Sequence, residues 1–285
     1  MRAGLHLMWD RYALRASRAC VLWCCLLPAA VAVELLHNFT LVHDDVMDGD
    51  LLRRGRATIW SVWGIPNAIC LGDSLHASAV QILVNGLPST SAVDAVARLE
   101  TASNEMCRGQ CEDCAFETRS DVTVQDYLSM ATSKTGALMG SACALGALCA
   151  GADTATIEAL DTFGRRIGLA FQIADDLLGV WGDPAVTGKP AGADLIRRKQ
   201  SFPVVTAFAS HHPGAVELTE LYRSDRPITP SQAAHAAAVL DAAGDRQATQ
   251  QQAEQYVSAA LAALPQHMLD SDLFTLAHLA VHRQW

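Results

Sequence analysis

The chain has 285 residues, 51% hydrophobic and 18% charged, with a formal net charge of −9. That length suffices for one large domain or two small ones. Abundant Ala and Leu with little β-branched alternation predict a helical body with no sheet. The acidic balance, without a basic stripe interleaved with aromatics, excludes a nucleic-acid surface. Nine cysteines, an odd number without the spacing of a secreted framework, point to a reducing cytoplasm.

Arg2, Arg11, Arg15 and Arg18 precede the apolar run ACVLWCCLLPAAVAV, and Ala30-Val31-Ala32 has the small-residue form of a signal-peptidase site. A secretory leader is one reading. Against it, Asp10 interrupts the basic region, and cleavage there would cut the helix that follows. The run is also short for a membrane span. A buried helix without stable membrane insertion is the preferred reading. Residues 1–27 are taken as an atypical N-terminal segment and 28–285 as one helical domain.

A helix is predicted from about Pro28, suited to its first turn, to Met47. It ends in Asp44-Asp45-Val46-Met47-Asp48. Residues four apart sit one turn above each other, so Asp44 and Asp48 share a face with Asp45 beside them. Stacked carboxylates among Phe39, Leu41, Val42, Val46 and Met47 are unfavourable unless a cation neutralises them. Hard divalent ions do so, and Mg²⁺ on a few carboxylates completes its shell with substrate phosphates. The competing reading is a solvated helix face.

Residues Gly49 to Thr58 read as a polar loop bearing Arg53, Arg54 and Arg56. A second helix starts near Asn67 or Gly72, and a third runs from about Ser89 to Glu117. Cys107, Cys111 and Cys114 fall on one face of the third and are read as small buried residues rather than a metal site. A fourth helix opens at Thr123 as cap, with Gln125-Asp126 in its first turn. Gly136, Gly140, Ser141 and Gly146 then permit close helix contact. The fifth, about Thr154 to Leu178, carries Asp175-Asp176 near its end. Gln172 lies one turn earlier on an apolar face, where it needs a partner. Strong turn signals follow at Gly182-Asp183-Pro184 and Thr187-Gly188-Lys189-Pro190. Pro203 opens another helix, and two or three amphipathic helices follow Pro213.

LLHNFTLVHDDVMDGDLLRRGRAT is similar to the first aspartate-rich motif and arginine pair of the trans-isoprenyl diphosphate synthases, the polyprenyl synthetase family. FQIADDLLGVWGDPAVTGKPAGADL is similar to their second motif and lysine loop, and Lys134-Thr135 lies between them as expected. The likeness covers most of the chain, weakens after Pro203, and is strongest to actinobacterial-type, geranylgeranyl-forming members. It implies an all-α, single-domain helical bundle of the isoprenoid synthase type that condenses an allylic diphosphate with isopentenyl diphosphate. It also implies Mg²⁺ and a homodimer. Carried over by position, Asp44, Asp45, Asp48 and Asp175 would hold metal, with Asp176 assisting. Arg53 would contact the allylic diphosphate. Arg54 and His37 would contact the isopentenyl diphosphate. Lys134, Thr135, Gln172 and Lys189 would surround the allylic diphosphate and the nascent cation, with Lys199 adding charge near the closing loop. Phe39, five residues before Asp44 and followed by Thr40, resembles the pattern of members that stop at a C20 product rather than C15.

Two positions depart from the family. Gly179 stands where many members carry a third aspartate, with Asp183 a possible substitute. A Gly-Lys-x-x-Arg motif expected upstream is not found, as though the first helices were missing. From residue types alone, Arg53 and Arg54 could be a solvated pair, Lys189 a turn lysine, and His37 or His43 satisfied core histidines. A class I terpene cyclase would share the metal–diphosphate chemistry, although it would not require Arg53, Arg54 and His37. A non-catalytic partner subunit is a third reading, opposed by the retained aspartates.

Overall fold

The computed structural model describes residues 19–183, 192–210, 212–269 and 271–282. Its first helix, α1 (Ala19–Met47), is longer than the sequence pattern predicts, and Pro28 lies inside it rather than in its first turn. The proline lacks an amide proton and so cannot bond the carbonyl one turn back. Its ring packs where a Cβ on Gly86 would stand, 2.6 Å from Pro28 Cγ. The apolar residues on both sides of Pro28 carry the helix through. The stretch Cys25–Met47 is long and apolar enough to cross a membrane, yet its Ala29, Ala32, Val33 and Leu36 are buried in the bundle.

The loop after the first acids is a hairpin, β1 (Leu52–Arg53) and β2 (Arg56–Ala57), paired Leu52 to Ala57 and Arg53 to Arg56. This corrects the expectation of no sheet, although it is the only sheet among the described residues. Arg54 and Gly55, with φ of 53° and 73°, form its two-residue turn. That left-handed geometry matches the twist of the strands. The hairpin is tied down where Thr58 Oγ1 and Trp60 Nε1 donate to the Asp50 carbonyl at 2.8 and 2.9 Å.

Next come α2 (Ile59–Trp63), α3 (Ile65–Gly86) and α4 (Ser89–Phe116). Helix α5 (Val124–Ala131) starts at the expected Thr123, which forms a reciprocal capping box with Asp126. Then the backbone widens into a π-helical turn, Thr132–Gly136, before α6 (Ala137–Cys149) and α7 (Thr154–Trp181). The small residues of α6 do allow close contact: a Cβ on Gly164 would stand 2.3 Å from the Met139 carbonyl oxygen and 2.7 Å from the Gly140 Cα. Because those obstacles are backbone, Gly164→Ala is expected to cost about 1–3 kcal/mol, read as a lower urea midpoint at unchanged slope.

The remainder is α8 (Ala193–Ile196), α9 (Phe202–Ser210), α10 (Pro213–Arg223), α11 (Pro230–Ala243), α12 (Asp245–Ala263) and α13 (Asp272–Val281). Among the described residues four α-helices thus follow residue 212 where two or three are expected, because the Thr229 cap, Gly244 at φ 93° and Pro265 divide the apolar pattern. One apolar core joins α1, α3, α4 and α6; a second joins α5, α6, α7, α9, α12 and α13. Helix α6 supplies residues to both, so the bundle is continuous.

Candidate active site

The two acid clusters sit at the C-terminal ends of α1 and α7. Asp44 and Asp48 lie one turn apart, and each carboxyl is pushed above its ordinary range mainly by burial. Lys134 opposes the rise in both, and for Asp44 the result is a pKa of about 6. Asp45 differs. It is 4% exposed and accepts from Arg53 Nε at 2.6 Å, although burial still raises its pKa. The hairpin turn therefore brings Arg53 onto the back of the first motif. Arg54 is carried at the tip, exposed. His37 lies within the field of both arginines. Burial, with Arg54 and Arg53 adding to it, lowers its pKa against the pull of Glu34, so the ring is neutral at pH 7.

Helix α4 contributes residues that sequence reasoning missed. Asp113 accepts from Lys134 Nζ at 2.5 Å. Burial works against the Lys134 ammonium, but Asp113 and Asp44 outweigh it and hold its pKa above the ordinary value. Gln110 is buried; its amide nitrogen comes within 3.5 Å of Asp48, and its Oε1 is buried without a partner. A buried amide oxygen left bare is costly and suits a site that receives a ligand or water. The signal available was the i, i+3 spacing of Gln110 and Asp113, which sets them one turn apart on the helix. The face bearing Cys107 and Cys111 is exposed, which corrects the expectation of buried cysteines. It turns toward Asp44, whose charge helps raise the Cys107 thiol after burial and Cys111.

The π-helical turn sets Lys134 and Thr135 between α4 and α7. Gly109 makes this possible, since its Cβ would lie 2.4 Å from the Lys134 amide nitrogen. Thr135 Oγ1 donates to Gln172 Oε1 at 2.8 Å, and Gln172 Nε2 donates to Asp176 Oδ1 at 3.2 Å. The partner that Gln172 needed is thus found at both ends. Asp176 is 0% exposed and receives three more donors: Tyr127 Oη at 2.7 Å, Lys199 Nζ at 2.9 Å and the Phe202 amide at 2.8 Å. Its lone pairs are taken inward, so the structure does not bring it to the cleft. Asp175, its neighbour, is exposed. Asp176 and Asp194 raise the Lys199 pKa well above the ordinary value despite burial. Lys189 falls outside the described residues.

Gly179 has a steric explanation. A Cβ there would stand 2.1 Å from Asp194 Oδ2, so the space beside the absent third aspartate is filled by a carboxylate from α8 rather than by Asp183. Gly179→Asp is expected to push Asp194 off Lys199, now 3.7 Å away. It should destabilise the fold by about 1–3 kcal/mol in chemical unfolding, more than Gly179→Ala. Across the mouth of the cleft, Arg197 donates to Asp50 at 2.6 Å, tying the segment after the second motif to the hairpin after the first.

The Polyprenyl synthetase family model matches residues 16–240. The chain is 52% identical over 257 residues to the geranylgeranyl diphosphate synthase of Mycobacterium tuberculosis, covering 90% of this chain and 73% of that enzyme. Its fold is similar to a polyprenyl synthetase from Streptomyces coelicolor (TM-score 0.83, 40% identity, 89% of this chain and 78% of that one). It is also similar to a geranylgeranyl pyrophosphate synthase from Corynebacterium glutamicum complexed with isoprenyl diphosphate and magnesium (TM-score 0.80, 26% identity, 99% and 90%).

Proposed function

Because the chain belongs to the polyprenyl synthetase family, we propose that it condenses an allylic diphosphate with isopentenyl diphosphate, head to tail, into a short-chain all-trans prenyl diphosphate, with geranylgeranyl diphosphate as product. One observation carries the reading. Polar contacts bridge the two acid motifs: from α4, Gln110 reaches Asp48 and Asp113 holds Lys134, and next to Lys134, Thr135 donates to Gln172, which donates to Asp176, so both motifs border one polar site.

The donor set fits Mg²⁺. Asp44 and Asp48 are hard oxygen ligands crowded in a partly desolvated site, where a divalent ion relieves their mutual repulsion. Asp175 offers the matching oxygen from α7. Among the described residues no group of three acidic, histidine or cysteine side chains is placed to hold an ion by itself; Mg²⁺ in general completes its shell with water and substrate phosphates. Mg²⁺ bound there would neutralise the allylic diphosphate as its C–O bond breaks. Lys134, held by Asp113, and Lys199, held by Asp176, aim fixed positive charge at the same group. Thr135 and Gln172 place an aligned hydroxyl and amide beside the developing cation. Asp45 and Asp176 act behind these groups, orienting Arg53 and Lys199.

The arginine pair Arg53 and Arg54, whose charges reach His37, supports an isopentenyl diphosphate side to the site, which a cyclase would not need. Exposed Val62, Trp63, Ile65, Ile69 and Val84 on α2 and α3 offer an apolar surface for the homodimer. Cys25, Cys70, Cys107, Cys111, Cys114, Cys143 and Cys149 are free thiols.

The test is a product assay. Protein with Mg²⁺ and isopentenyl diphosphate receives dimethylallyl, geranyl or farnesyl diphosphate, and chain length is read by mass spectrometry. Metal-dependent C20 diphosphate is expected. Release of diphosphate with a hydrocarbon or alcohol from the allylic substrate alone would replace this reading with a cyclase.

A further inference from the structure

Helices α4 and α7 run in the same direction and are linked across α6 by two ion pairs. Arg98 Nη2 donates to Glu158 Oε1 at 2.6 Å. Seven residues further along each helix, about 10.5 Å by the α-helical rise, Arg165 Nη1 and Nη2 donate to the two carboxylate oxygens of Glu105 at 2.5 and 3.3 Å. The charges change sides between the pairs: Arg then Glu on α4, Glu then Arg on α7. Sliding one helix by two turns would set like charges opposite each other, so the order favours a single register. The inner pair is the better held. Arg165 Nε also donates to Asp161 at 2.7 Å. Its stem lies across Gly140 of α6, where a Cβ would stand 2.6 Å from Arg165 Cγ. The Arg165 and Glu105 side chains keep 28% and 22% of their surface exposed, against 58% for Glu158 in the outer pair. A bidentate guanidinium–carboxylate pair fixes direction as well as distance.

About one turn beyond the inner pair, the same two helices grip the π-helical turn through glycine. Gly109 of α4 meets the Lys134 backbone on one side. Gly168 of α7 meets the other, where a Cβ would stand 2.6 Å from the Gly136 Cα and 3.1 Å from the Thr135 carbonyl oxygen. Gly136 in turn rests on α7 where its own Cβ would be 3.0 Å from the Arg165 carbonyl oxygen. One turn further along each helix, Asp113 accepts from Lys134 and Gln172 accepts from Thr135. Backbone packed on backbone leaves no slack, so the spacing of α4 and α7 sets where the turn stands.

On the basis of the prenyltransferase reading, we infer that Glu105 and Arg165 are positioning residues: their ion pair sets the spacing and register of α4 and α7, so that the π-helical turn presents Lys134 and Thr135 to the allylic diphosphate. Both act through the turn, two turns of helix away from the polar groups they align. Loosening the pair lets the two glycine-lined walls part, and Lys134 and Thr135 leave the geometry that the departing diphosphate requires. A misplacement of about 1 Å costs on the order of a hundredfold in rate. The outer pair joins the same helices two turns further back, and so separates alignment of the turn from general stability.

Glu105→Gln and Arg165→Met are compared with Arg98→Met and Glu158→Gln of the outer pair. Each is assayed with farnesyl diphosphate, isopentenyl diphosphate and Mg²⁺, and its unfolding midpoint is measured. The inner variants alone are expected to lose kcat, on the order of tenfold or more, with KM for isopentenyl diphosphate unchanged. Calorimetric titration with Mg²⁺ and inorganic diphosphate should show weaker binding in the same two. Folded inner variants with wild-type kcat and wild-type diphosphate affinity would overturn the inference. Equal losses from the outer pair would overturn it too, since they would trace the effect to stability. Wild type that elongates no primer would overturn the prenyltransferase reading instead, and the diphosphate titration then decides the positioning role by itself. Should Arg165→Met not fold, Glu105→Gln decides, because it keeps the shape of the side chain and one oxygen acceptor.

Discussion

Replacing Asp44 and Asp48 together by Ala is expected to abolish Mg²⁺-dependent condensation, with a loss on the order of 10³-fold or more. A divalent ion at a developing diphosphate contributes several kcal/mol of transition-state stabilisation, and each ~1.4 kcal/mol is a factor of ten. The measurement is kcat/KM for a farnesyl diphosphate primer, beside Mg²⁺ affinity by calorimetry in the presence of inorganic diphosphate. Loss of both is expected. Full activity in the double variant would remove the first motif from the mechanism.

The same carboxylates make the metal-free protein sensitive to pH. Asp44 has a pKa of about 6 when folded, raised first by burial, against 3.8 for the free group. Between those values the folded chain holds a proton that the unfolded chain releases. The contribution of Asp44 to stability is therefore full below pH 4 and is lost as pH rises through 6, by roughly 3 kcal/mol at most. Asp44→Asn escapes that loss. The stability of metal-free Asp44→Asn relative to wild type should grow from pH 4.5 to pH 7.5, and Mg²⁺ with diphosphate should reverse the order at pH 7.5. A stability difference that stays flat across this range would contradict the buried placement of Asp44.

Asp176→Ala is expected to act on the fold first and on activity through it. The substitution strands the Lys199 ammonium, the Tyr127 hydroxyl, the Phe202 amide and one end of Gln172. Breaking a buried ion pair from one side costs about 3–5 kcal/mol. Chemical unfolding should show that loss without Mg²⁺ present. Asp175→Ala should cost less metal-free stability than Asp176→Ala, as befits the more exposed of the two, while weakening Mg²⁺–diphosphate binding. Equal effects of the two substitutions on stability would overturn the division of labour between these adjacent aspartates.

Much of this was legible in the chain. The 3.6-residue spacing of apolar positions gave the helices, Thr123 and Asp126 gave a cap, and the i, i+4 spacing of Asp44 and Asp48 gave one acidic face. The aspartate motifs, the arginine pair and Lys134-Thr135 together gave the family, because each is a local pattern in which one residue's neighbours are its neighbours in sequence.

Only the tertiary structure decided what each carboxylate faces. Asp44 and Asp45 adjoin in sequence, as do Asp175 and Asp176, yet in each pair the latter is turned inward to a partner supplied from elsewhere: Arg53 from the first strand of the hairpin, Lys199 from the loop between α8 and α9, and Tyr127 from α5. Asp113 and Asp194 join the two motifs from two other helices, α4 and α8, at sequence distances no periodicity spans. The π-helical turn that presents Lys134 is likewise a product of packing, since it exists where Gly109 lets α4 approach. Sequence by itself determined the helices and the chemistry they carry. The third dimension determined which charges meet, because an ion pair's worth depends on burial and distance, and neither is a property of the chain before it folds.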